Sequence, residues 1–206
     1  SFDGKVWTNE TANGANGSPA ARDRAGICWD DARNRLMVFG GHDASGLYND
    51  MWEWNPVTKA RKDVTPAPPL LSPSPRQFSS MAYDPSSKNI VLFGGLSATG
   101  EEQDTWLFTG GVLWLKQSPT TSPPERRQHH MVTRFHAGDV LMCGGQDTKP
   151  TKVQHKDVWR YASGQWTQIT LTTTDRPSLV VANNAFYDEF RQRLNLSAGN
   201  NFGGGP

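Results

Sequence analysis

Apolar residues in this chain fall in short blocks, some alternating and some continuous, broken by Gly and Pro. None repeats at the three-and-four spacing of an amphipathic helix, so the pattern predicts strands. One block carries a recognisable plan. Residues 89–106, NIVLFGGLSATGEEQDTW, read as a strand, a glycine pair, a loop, and a second strand opened by Asp104 and anchored by Trp106. The plan recurs upstream as RLMVFGGHDASGLYNDMW, 35–52, and downstream as DVLMCGGQDTKPTKVQHKDVW, 139–159. Gly40, Gly94 and Gly144 are 54 and 50 residues apart, and Trp52, Trp106 and Trp159 are 54 and 53 apart. A period of roughly fifty residues is the mark of a repeat architecture.

Each repeat resolves into four predicted strands, a to d. In the first, RAGICWD is strand a, RLMVF strand b and NDMWEW strand c. The second follows with QFSSMAYD, NIVLF, DTWLF and VLWLK, and the third with HHMVTR, DVLMC, DVWRY and QWTQI. Strands of this length, rich in aromatic and β-branched residues and bounded by turn formers, predict an all-β chain. The plan divides a single domain, 1–206, into repeats over 22–62, 76–117 and 126–170, with a fourth beginning at 180. Residues 1–7, SFDGKVW, match YASGQW, 161–166, and read as the end of a repeat. The fourth repeat is thereby split between the termini. Strand b is expected to stop at each glycine pair, with b–c loops of 7 to 11 residues following it.

Composition narrows the function classes. The net charge is +1 with 20% charged residues, which leaves no long-range field for nucleic acid or an anionic membrane. No apolar run is long enough to span a bilayer. The mean hydropathy of −0.63 fits long polar loops, because eight Trp and nine Phe supply apolar mass to bury. Cys28 and Cys143 lie in strands of different repeats and read as two small buried hydrophobes. The opening residues carry no secretory leader, so any such segment has been removed or lies outside this sequence.

An Arg-containing strand a, an aliphatic strand ending in Gly-Gly, and an Asp-x-Trp strand with a further Trp downstream together resemble the kelch repeat. The resemblance covers nearly the whole chain. It implies a β-propeller of four-stranded antiparallel blades, strand a lining the central channel and strand d outermost. Either a small closed ring or a segment of a larger one fits about four repeats. Phrases such as YDPSSKNIVLFGG look like the bacterial or phage-encoded branch. Some kelch-type propellers act on sugars or carry copper, but the paired tyrosines, histidines and Tyr–Cys crosslink of the copper type have no match here. No metal and no other cofactor is expected.

The repeat columns separate residues that hold shape from residues that could act. The glycine pairs Gly40-Gly41, Gly94-Gly95 and Gly144-Gly145 have no P-loop context and predict positive φ with close backbone approach. Trp52, Trp106 and Trp159 predict packing between blades. Arg22, Arg76 and Arg126 leave two readings open: a buried Arg bonded to carbonyls and to Asp50, Asp104 and Asp157, or a basic rim for an anionic or sugar ligand. His129 and His130 are adjacent on a strand and point to opposite faces, which disfavours a shared metal. The b–c and d–a loops share one face, and long loops on a rigid scaffold concentrate binding. His42, Asp43, Tyr48, Leu70, Leu71, Glu101 and His155 are the candidate contacts there. The expected function is a non-catalytic scaffold engaging a protein or a glycan, in an extracellular, cell-surface or virion setting. A structural part of a phage tail or surface assembly, with other subunits as partners, and a carbohydrate-active enzyme are the alternatives.

Overall fold

A computed structural model describes residues 4–8, 17–68, 70–148, 151–172 and 184–197. Every regular element among them is a strand. The first sheet holds β1 (Gly26–Asp30), β2 (Arg35–Asp43), β3 (Gly46–Trp54) and β4 (Arg61–Asp63) in sequence order. In the second unit, β5 (Arg76–Gln77) precedes β6 (Ser80–Asp84) and β7 (Asn89–Phe93), and β8 (Leu96–Ser97) pairs with β9 (Gly100–Glu101). β10 (Thr105–Thr109) and β11 (Leu113–Lys116) complete a sheet ordered β6, β7, β10, β11, while β5, β8 and β9 form a small sheet above it. The third unit holds β12 (Arg127–Arg134), β13 (Asp139–Asp147), β14 (Val153–Gln154), β15 (Val158–Ala162) and β16 (Gln165–Ile169). A two-stranded sheet of β17 (Asn184–Asp188) and β18 (Arg193–Ser197) follows. All pairings are antiparallel, as meanders with short turns require. Residues 1–3 and 180–183, on which parts of the first and last repeat readings fall, lie outside the described residues.

Strand alternation stacks the sheets. In β7, Ile90 and Leu92 face the first blade, and Val91 and Phe93 face the third; all four are fully buried. Met37, Phe39 and Met51 meet Met81, Ile90, Leu92, Trp106, Phe108 and Trp114 in one core. Ala82, Val91 and Phe93 meet Met131, Val140, Met142, Trp159, Tyr161 and Trp166 in the next. Edge-on aromatic pairs close both, Phe39 with Trp114 at 5.2 Å and Phe93 with Trp166 at 5.3 Å between ring centroids. Cys143 is buried, Cys28 packs against the first core, and both are free thiols. Burial pushes the Cys143 thiol up to about 12 and raises Cys28 as well.

The a–b turns share one backbone device. Asn34, Lys88, Gly138 and Gln192, their closing residues, all have φ between 51° and 69°. Asp30, Asp84 and Asp188 cap these turns by accepting from Arg33 N, Ser86 N and Arg191 N. The left-handed conformation at three non-glycine residues costs of order 1 kcal/mol each, offset by the ladders it permits on both sides.

Strand b departs from expectation. It runs through the glycine pair in the first and third units, and residues 42–48 are hairpin rather than loop. Gly41 pairs with Tyr48, His42 with Leu47 and Asp43 with Gly46, after a register shift between Phe39 and Gly41. The two glycines supply a bulge, φ 63° and 97°, that re-aims the ladder without ending it. Both also sit against backbone. A Cβ on Gly94 would lie 2.6 Å from the Arg126 carbonyl oxygen of the next unit, and one on Gly95 would lie 2.9 Å from the Gln77 oxygen of its own unit.

Candidate functional site

The three arginines carry the same bonds. Nε of Arg22, Arg76 and Arg126 donates to the carbonyl two residues back, Ala20, Ser74 or Pro124, each at 3.0 Å. Nη1 donates to the first glycine of the pair, Gly40, Gly94 or Gly144, also at 3.0 Å. Both Nη atoms then fork onto Asp50, Asp104 or Asp157, with Nη2 to Oδ2 at 2.9 Å in every unit. The same Oδ2 accepts the indole N–H of Trp52, Trp106 or Trp159 at 2.7 Å. Arg, glycine carbonyl, Asp and Trp thus form one clamp per blade, tying the start of strand a to the end of b and the start of c. Burial opposes ionisation of Asp104 and Asp157, yet the guanidinium and indole donors hold both carboxyls below the usual range.

This geometry corrects the rim reading. Arg76 is 1% and Arg126 0% exposed, with their donors committed inward, so neither can meet a ligand. Arg22 makes the same fork and lies 4.0 Å from the centroid of the Tyr48 ring. Glu101 and His155 are likewise corrected from contact residues to buried ones. Glu101 accepts from the Thr148 hydroxyl at 2.8 Å, and His155 Nε2 lies 3.0 Å from Asp147. Their loops zip into ladders, β8 on β9 and β13 on β14, which turns these side chains inward. Asp43 and Tyr48 are half-buried on the β2–β3 hairpin and bond each other at 2.7 Å. The Tyr48 hydroxyl and Ser45 N–H hold Asp43 below the usual carboxylate range. His42 pairs through its backbone with Asp23. Leu70 and Leu71 are exposed, at 51% and 68%.

A second set of residues escapes sequence reading. Arg24, Phe78 and Gln128 stand two positions after the three clamp arginines, and all have left-handed backbones, φ 57°, 58° and 57°. Their amides link the blades in series: Phe78 N donates to Arg24 O at 2.8 Å, and Gln128 N to Phe78 O at 3.1 Å. The Arg24 guanidinium lies 5.0 Å from the Phe78 ring centroid and donates to Gln77 at 2.9 Å. Gln128 accepts from the Gln146 amide at 2.6 Å. These three residues surround an open cavity of about 450 Å³, together with Ala25, Ser79, Ser80, His130 and Asn184. Strand-a residues of four units therefore converge on one axial hollow. His42 of the β2–β3 hairpin bridges Asp23, next to Arg24 in the lining of this hollow. Leu47, Pro75, Ala98 and Thr99 line a second, more apolar hollow of about 400 Å³. No residue type announces the axial set. Arg, Phe and Gln share only a backbone conformation, and the one available signal was their fixed offset from the arginines.

Residues 1–187 match the family model for the KLHDC2/KLHL20/DRC7 Kelch-repeats domain. The chain belongs to the kelch-repeat family. Among curated kelch relatives, it is 32% identical over 115 residues to the Rab9 effector protein with kelch motifs of Homo sapiens, covering 54% of this chain and 30% of that protein. It is 26% identical over 134 residues to dynein regulatory complex subunit 7 of Chlamydomonas reinhardtii, 59% of this chain and 11% of that protein. It is 36% identical over 69 residues to Kelch domain-containing protein 3 of Homo sapiens, 32% and 17% respectively. The kelch chain thus spans less than a third of each of these relatives.

Proposed function

We propose that this kelch chain is a non-catalytic scaffold that engages a protein partner through the hairpin end of its blades. The observation that carries the reading is a pair of hollows on a frame locked by the clamps, one lined by strand-a residues of four units, the other more apolar and lined by Leu47 of the β2–β3 hairpin with Ala98 and Thr99 of the β8–β9 turn. Rigid hollows with a few fixed polar groups are where recognition energy concentrates. Arg24 and Phe78 offer a cation stacked on a ring, the type of amphipathic surface enriched at interaction hot spots. Leu47, Leu70 and Leu71 add apolar contacts. Two relatives bear names that describe work on other proteins, a Rab9 effector and a subunit of a dynein regulatory complex. A protein partner is therefore preferred over a glycan, a virion assembly or a sugar substrate.

Affinity capture followed by quantitative binding tests the reading. Arg24→Glu with Phe78→Ala, and separately Leu47→Asp, should each weaken a captured protein partner by at least about tenfold with unchanged thermal melting. Saturable glycan-array binding lost in the same variants would replace the protein reading. Partner binding that survives both variants would move the site off the hairpin end.

A further inference from the structure

Six of the fourteen prolines follow a serine or threonine: Ser18-Pro19, Thr65-Pro66, Ser72-Pro73, Ser74-Pro75, Ser118-Pro119 and Ser122-Pro123. All six pairs lie outside the strands, in the connections that precede a clamp arginine. A proline holds the residue before it in an extended backbone, the form in which a proline-directed kinase takes a hydroxyl. Exposure sorts the six. Ser18, Thr65, Ser72 and Ser122 are half-buried, and Thr65 Oγ1 already accepts from Met51 N at 2.8 Å. Ser74 and Ser118 are exposed.

Of these two, Ser74 stands at the second hollow, whose lining it shares with Leu47, Pro75, Ala98 and Thr99. Ser118 lines neither hollow. The Ser74 hydroxyl accepts from Arg76 Nη2 at 2.8 Å and donates to Glu102 Oε1 at 3.3 Å. Glu102 directly follows β9, so it ends the β8–β9 hairpin whose turn supplies Ala98 and Thr99. Its own backbone is tied down on both sides, Glu102 N to Gly95 O at 2.9 Å and Arg126 N to Glu102 O at 3.2 Å. One side chain therefore separates the Ser74 hydroxyl from the wall of that hollow.

We propose that Ser74 is a phosphoacceptor and that its phosphorylation weakens the second hollow as a docking site, a regulatory role that rests on the partner-binding reading of that hollow. In the transfer, Ser74 Oγ bonds to the γ-phosphorus of a nucleoside triphosphate held by the kinase. The bond from that phosphorus to the bridging oxygen breaks, nucleoside diphosphate leaves, and the hydroxyl proton passes to a base of the kinase. The ester carries about two negative charges at neutral pH. Ser74 then has no proton to give Glu102 and opposes it with like charge, which drives the carboxylate away. Arg76 Nη2 still offers a donor to the ester and orients it, although Asp104 shares the same guanidinium. The hairpin carrying Ala98 and Thr99 shifts with Glu102, and an apolar hollow gains a charged rim that disfavours an entering apolar side chain.

Incubating the folded full chain with a proline-directed serine/threonine kinase and magnesium ATP, then mapping phosphopeptides by mass spectrometry, tests the acceptor. Ser74 should carry phosphate in the native chain. Ser74→Ala should abolish that phosphopeptide, and Ser118→Ala should leave it unchanged. Phosphate confined to the other Ser-Pro and Thr-Pro pairs, or reaching Ser74 only after urea unfolding, would overturn the proposal. The hollow is read by methyl NMR on a Ser118→Ala chain with phosphoserine placed at position 74 during translation, which makes occupancy independent of the kinase. The Leu47 and Ala98 methyl resonances should move relative to the unphosphorylated chain, and Glu102→Gln should shrink the movement by at least about twofold. Circular dichroism should match the parent. Unmoved methyls, or a phosphorylated chain that no longer folds, would overturn the proposal as well. Failure of the docking reading looks different: Leu47→Asp would leave partner binding intact while the Ser74 phosphate and the methyl movements persist, which would strike the regulatory role and leave the acceptor standing.

Discussion

The first and second blades are written in nearly the same residues and end in different surroundings. Both have the clamp, a glycine pair at positive φ and a strand-c column led by Trp52 or Trp106. The second lies between neighbours, and Trp106 is 5% exposed. The first has a described neighbour on one side only, and Trp52 is half-buried despite an identical bond to its Asp. The comparison separates two roles of the repeat. Pattern within a blade builds the blade; burial of its near face depends on what stands beside it.

The largest expected effect tests that separation. Trp106→Ala should cost about 3–5 kcal/mol, because it opens a cavity in a covered core. Trp52→Ala should cost well under half of that in dilute solution. Urea unfolding of the two variants decides the matter, and equal losses would mean that the first blade is covered after all.

Breaking the clamps should rank the same way. Arg126→Ala leaves Asp157 in a partly buried place without its guanidinium, a loss of about 3 kcal/mol or more. Arg22→Ala should cost less, since Asp50 is 23% exposed and water can reach it. The glycine pair offers a smaller contrast. Gly94→Ala meets the Arg126 carbonyl at 2.6 Å, whereas Gly138→Ala meets nothing within 4 Å and carries only the cost of positive φ. The first should exceed about 1 kcal/mol, with the second near that value or below it.

Acid should loosen the covered side first. His129 is buried between the second and third blades, 5.5 Å from the Phe93 ring centroid. Burial, then Arg126, holds its pKa well below the ordinary 6.5. The unfolded chain therefore binds this proton before the folded one does. Stability is full above about 6.5 and falls as pH drops toward the folded value. Asp104 and Asp157, also depressed, add a second loss below their ordinary 3.8. Urea midpoints measured across this range should fall in both windows, and His129→Leu should flatten the upper one. The smallest effect is chemical: Cys143, raised by burial to about 12, should resist alkylation at neutral pH until the chain unfolds.

Much of this was legible in the residues. The strand blocks, the fifty-residue period and the pairing of each clamp Arg with its Asp follow from side chains that recur at fixed intervals. The b–c segments were misread because GHDASGLY and its counterparts are polar and rich in turn formers, yet pair as hairpins once the glycine bulge turns the ladder. That pairing drew Glu101 and His155 inward. The axial residues were invisible for a different reason. Left-handed φ at Arg24, Phe78 and Gln128 is imposed by the clamp beneath and by amide bonds from blade to blade, not by preferences of Arg, Phe or Gln.

Taken alone, the order of residues determined the unit: which positions alternate, where the backbone must be glycine, and which Arg, Asp and Trp belong together. Those are local facts, encoded within a blade's length. Only the tertiary structure decided which arginines face inward, where strand-a residues gather into a hollow, and which of two equivalent tryptophan columns is covered. Exposure is a property of neighbours, and a repeat writes the same face whether or not a neighbour is there.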